Sequence, residues 1–104
     1  MDAEPTTTNS PQPDKKNAYL VSYDIRGSDA RMTEELVQMG AMKVLPSAWI
    51  VCSPLTASAI GGKIRQHVGT VGGFFVIRVG YAASFSSPIA DHAAIERFLS
   101  TCAD

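Results

Sequence analysis

The chain predicts an α+β sandwich in which a four-stranded antiparallel sheet carries two helices on one face, with a further helix at the C-terminal end. Three observations carry that expectation. Short β-rich apolar runs recur at 19–25, 41–52 and 74–79, amphipathic helical runs recur at 28–39, 56–68 and 88–102, and the two kinds alternate. A helix between two strands brings the second strand back parallel to the first, so two right-handed β-α-β units sharing a hairpin interleave into one sheet. At 104 residues the chain has room for one domain.

Residues 1–17 hold three prolines, a threonine run and almost nothing to bury, so they read as a disordered tail. The domain then runs over 18–80, and 81–104 supply a connection and a C-terminal helix packed on it. The first strand, around Tyr19–Ile25, places Tyr19, Val21 and Tyr23 on one face and Leu20, Ser22 and Asp24 on the other. Ser28 or Asp29 caps the first helix, Gly40 ends it, and Met32, Leu36, Val37 and Met39 form its apolar stripe, with Glu34 and Glu35 toward water. Ala41–Leu45 and Ala48–Cys52 form a hairpin, or one strand bent at Pro46, because proline cannot donate to a central ladder. Thr56 caps a second helix that buries Ala57, Ile60, Ile64 and Val68. Within it Gly61-Gly62 marks either close packing or local weakness, since each glycine costs about 1 kcal/mol relative to alanine. Phe74–Val79 reads as a strand with its aromatics in the core. Ser87-Pro88 provides an N-cap and first-position proline for a last helix with the stripe Ile95, Phe98, Leu99 and Cys102. This is the ferredoxin-like βαββαβ arrangement. Its second sheet face needs a cover: the C-terminal helix, a second copy of the chain, or both.

Composition excludes several classes. No apolar run approaches the roughly 20 residues of a membrane helix, and no secretory signal opens the chain, so a cytoplasmic protein without a membrane partner is expected. Cys52 and Cys102 stand fifty residues apart, without the spacing of a zinc site or of a disulfide framework. His67 and His92 lie on separate helices. The net charge of −1 is uneven: residues 15–80 hold eight Lys/Arg against four acids, while both ends are acidic. A basic middle is compatible with a polyanionic partner, RNA or DNA, or with a protein partner at a sheet edge. Arg26, Arg31, Lys63, Arg65 and Arg78 are the candidate phosphate contacts. Arg26 sits best, in the turn beside Asp24, and Arg78, in an apolar strand, is expected to face the open side of the sheet or an acid across an interface.

Asp24 is the most unusual residue, because a carboxylate at the end of a central strand runs against β-propensity. Either it opens the turn by accepting amides near Gly27-Ser28, or it serves a site. In a homodimer joined near the ends of the first strands, two Asp24 carboxylates would converge. At about 5 Å and an effective dielectric near 20 they repel by roughly 3 kcal/mol. A shared proton or a hard divalent cation relieves this, and Mg²⁺ takes such oxygen ligands while keeping several waters.

Ala18–Asp24 (AYLVSYD), the turn through Asp29 and the strand Ser47-Ala48-Trp49-Ile50-Val51 resemble the CRISPR-associated integration-adaptor and nuclease family, the second of the two core CRISPR proteins. The likeness covers about residues 18–80 and extends to stand-alone relatives and, more distantly, to virulence-associated protein D toxins. It implies a nucleic-acid-handling homodimer and a metal-dependent endonuclease. Asp24 would bind Mg²⁺ at the dimer interface, Ser47 would orient water or phosphate, and Arg26 would stabilise phosphate charge. The chain departs from the family in its acidic first helix and in lacking a second acid in the third strand. Those departures point to the alternative, a non-catalytic dimeric module that binds nucleic acid or protein; a toxin-like ribonuclease is the third reading.

Overall fold

The computed structural model describes residues 16–80 and 84–103; most of the expected tail, residues 1–15, lies outside them. The elements are β1 (Asn17–Asp24), α1 (Ala30–Gln38), β2 (Met42–Leu45), β3 (Ala48–Ser53), α2 (Ala57–Val68), β4 (Gly73–Arg78) and α3 (His92–Ala103). The four strands form one antiparallel sheet in the order β2-β3-β1-β4. Of the two openings the sequence allows at 41–52, the hairpin is the one formed, turning at Pro46-Ser47. None of the helices described is long and apolar enough to cross a membrane.

Strand alternation divides the apolar residues between two cores. Tyr19, Val21 and Tyr23 of β1, with Trp49 and Val51 of β3, pack against Met32 and Leu36 of α1 and Ile60, Ile64 and Val68 of α2. On the opposite face Val44, Ala48 and Ile50 meet Ile95, with Leu20, Phe98 and Leu99 at the margin. That second face is therefore covered in part by α3, one of the two covers anticipated.

Several local expectations are corrected. Val37 is 59% exposed, because α1 directs only Met32 and Leu36 fully inward. Glu35 is drawn between the helices, where it pairs with His67 at 3.1 Å. Ser87 and Pro88 do not open α3. Asp91 does, accepting the amide of Ala94, while the Ser87 hydroxyl accepts the amides of Ile89 and Ala90 and donates to the Val44 carbonyl, pinning the connection to β2. Phe75 is 69% exposed, since Phe74 and Val76 take the helix-side face and α3 does not reach the outer strand. The cysteines are joined as Cys52–Cys102, across a separation of 50 residues that sequence spacing alone does not connect. Gly61 resolves in favour of close packing: a side chain there would stand 3.4 Å from the Phe74 ring.

Candidate functional site

β1 ends between the first residues of both neighbouring strands. Asp24 is in register with Gly73 of β4, and the Tyr23 amide donates to the Ser47 carbonyl at 3.0 Å. Asp24, Ser47 and the turn carrying Arg26 thus gather at one end of the sheet, and all three residues are exposed. Gly27, with φ +85°, turns the chain away from the sheet there. Gly72 is required at the same place, because a Cβ would collide with the Asp24 carbonyl and with Val68.

Tyr23 and Asp24 face opposite ways. The Tyr23 hydroxyl donates to Asp29 at 3.1 Å and accepts from the Trp49 indole at 3.3 Å, tying β1 to the start of α1 and to β3. Burial, with a further contribution from the Asp29 carboxylate, pushes the Tyr23 phenol above its ordinary value, and the indole bond opposes the rise. The pairing of a strand tyrosine with Trp49 and Asp29 escaped the sequence reading, which contains no local signal for it. Asp24, by alternation, lies on the face of α3. Among the described residues its carboxylate neither accepts a hydrogen bond nor forms an ion pair, so the expected amides of Gly27-Ser28 do not hold it; the Ser28 hydroxyl instead accepts the Ala30 amide. Among the described residues no three His, Cys, Asp or Glu side chains converge.

The predicted cations separate. Arg26 and Arg31 flank the β1–α1 turn, and Lys63 and Arg65 lie exposed on α2. The Arg65 guanidinium stands 5.1 Å from the Phe74 ring centroid, beside an open groove of about 450 Å³ between α2 and β4. The groove is open because Gly61 and Gly62 present no side chain to it. Arg65 also borders Gly72 and Gly73, the strand partner of Asp24. Arg78 sits at the other end of β4, five residues and about 17 Å from Gly73. It pairs with Tyr19 and so points to the side of α1 and α2, correcting the expectation that it faces the open side of the sheet.

One signal was present in the sequence and not used. Between Glu35 and Asp91 there is no acidic residue, while Lys43, Lys63, Arg65 and Arg78 all fall inside that span. The fold places Lys63 and Arg65 on α2 and Arg78 on the adjoining strand β4, with Lys43 on β2 at the opposite edge of the sheet, so α2 and β4 carry cations without acids of their own elements to neutralise them. Comparison with known proteins finds no matching family model, curated protein or solved structure.

Proposed function

We propose that the chain is a ferredoxin-like homodimer that binds nucleic acid along the flank formed by α2 and β4. The observation that carries this reading is the acid-free span from 36 to 90, which holds Lys63 and Arg65 exposed on α2 and Arg78 at the end of the adjoining strand. Exposed cations on a helix and its adjoining strand, with Arg65 at the groove between them, suit a phosphate backbone, RNA or DNA, whose contacts position a strand without reading its bases. The element order and the central placement of β1 and β3 support the ferredoxin-like assignment. Phe75 and Ile77, 69% and 53% exposed on the outer strand, support a second copy as their cover. The resemblance to the CRISPR adaptor and nuclease family, and a cytoplasmic setting, belong to the same proposal.

A second reading, metal-dependent phosphodiester hydrolysis, is favoured by the exposed Asp24 carboxylate beside Ser47. One carboxylate and one hydroxyl per chain fit Mg²⁺ only where a second copy adds its own Asp24, since this ion is held through one or two carboxylates with waters completing its shell. When bound, the ion would lower the pKa of a water and polarise the phosphodiester. Ser47 would orient the water or phosphate, and Arg26 would stabilise charge on the phosphate oxygens.

Labelled single-stranded RNA and DNA, mixed with the chain in Mg²⁺, test both readings in one assay. Anisotropy is expected to show binding that the paired change Lys63→Glu and Arg65→Glu weakens about tenfold or more, and gels are expected to show cleavage that Asp24→Asn abolishes. Affinity indifferent to the charge reversals overturns the first reading; cleavage surviving in Asp24→Asn overturns the second.

A further inference from the structure

We propose that Cys52–Cys102 is a thiol-exchange site whose opening releases α3 from the sheet. The bond joins the last turn of α3 to β3 and belongs to the side of the molecule where Val44, Ala48, Ile50 and Ile95 form their own core. Among the described residues, none of α3 contributes to the larger core between the sheet and helices α1 and α2. The two cores are thus separable, and α3 can leave while the rest stays folded. Apart from the bond, the described residues of α3 that hold it include Ile95, nearly fully buried, Phe98 and Leu99, each only partly buried, and the exposed His92, stacked on Phe85 of the preceding connection at 4.6 Å.

The two sulfurs differ in access. Cys102 is 2% exposed, whereas Cys52 is only half-buried, so an incoming thiolate reaches Cys52 first. A low-molecular-weight thiol of the glutathione class attacks the Cys52 sulfur as its thiolate. The new S–S bond forms as the Cys52–Cys102 bond breaks, and the Cys102 thiolate departs and takes a proton from water. A second molecule of the same thiol then resolves the mixed disulfide, leaving two protein thiols and one oxidised low-molecular-weight disulfide; the protein gains two electrons and two protons. In a reducing compartment disulfides are characteristically transient and redox-sensing, which is the setting in which such an exchange operates. Release of α3 uncovers Leu20, Ala48 and Ile50 on the sheet face that also carries Asp24. The inference does not depend on the nucleic-acid reading.

Hydrogen exchange read by mass spectrometry, on the full chain in oxidised form and after incubation with glutathione, tests it. Trp49 is the only tryptophan and lies in the larger core, so its emission reports whether that core stays intact. Reduction is expected to speed exchange across α3 by about tenfold or more while α1, α2 and β1 keep their protection and Trp49 emission holds. Cys102→Ser should give the reduced pattern without any thiol added. Unchanged protection of α3, acceleration in all elements with a red-shifted Trp49, or failure of the bond to form in the oxidised sample each overturns the proposal.

Discussion

Tyr23 and Asp24 are adjacent in the chain and opposite in role, and the pleat of β1 is the reason. Tyr23 turns inward, where its hydroxyl satisfies the Trp49 indole and meets Asp29; Asp24 turns outward to the exposed end of the sheet. Replacing Tyr23 by Phe leaves a buried indole N–H without its acceptor, an expected loss of about 1–2 kcal/mol at neutral pH. The raised phenol gives that loss a pH signature. The folded chain holds the Tyr23 proton more tightly than the unfolded chain, whose value is 10.0. The associated stability is complete below the unfolded value and is lost as pH rises through the higher folded value. Urea midpoints of wild type and Tyr23→Phe are therefore expected to draw together above pH 10, relative to their gap at pH 7. A gap constant to high pH contradicts the assignment.

Elements were legible where period and punctuation agreed. Thr56 caps α2, accepting the Ala59 amide at 3.1 Å, and Gly40 takes positive φ where the first helix was expected to stop, as Gly69 does directly after α2. The faces of β1 followed from period two alone. What escaped depended on contacts made across the sheet. Ser87 carries every local mark of an N-cap, yet its hydroxyl serves the connection and β2, and the helix waits for Asp91. Phe75 looks like core until one sees that α3 stops short of β4, and no local rule joins Cys52 to Cys102. At the candidate site, the clustering of Asp24, Ser47 and Arg26 followed from placing each at a strand end or turn, while the side from which Arg78 projects required the register. Gly62 within α2 and Gly72 just before β4 separate propensity from packing. Gly62 has open space where a side chain would go, so Gly62→Ala is expected to stabilise by about 1 kcal/mol, raising Tm by roughly 4–8 °C. Gly72→Ala, forced against the Asp24 carbonyl and Val68, is expected to cost about 1–3 kcal/mol. Thermal melts of the two variants check the pair, and a lowered Tm for Gly62→Ala contradicts it.

At the scale of the molecule, one sheet separates two cores of different depth, and charge is unevenly spread among the elements. The deeper core, closed by α1 and α2, fixes Tyr23 and Trp49 and so sets where β1 ends; the shallower one is closed by α3, tied to β3 through one disulfide, with Phe85 and Ala90 of the preceding connection. The span free of acids supplies α2 and β4, whereas the acids of α1 and α3 lie outside it. Such an asymmetry has no effect on the fold and a large one on association with a polyanion, because bound cations displace counterions from phosphates. The salt dependence of binding to a single-stranded oligonucleotide tests the central claim most directly. If Lys63, Arg65 and Arg78 each engage a phosphate, log K is expected to fall with log salt at a slope of about −2, and at about −1.4 in Arg78→Ala. A slope near zero, or one that Arg78→Ala leaves unaltered, contradicts the account.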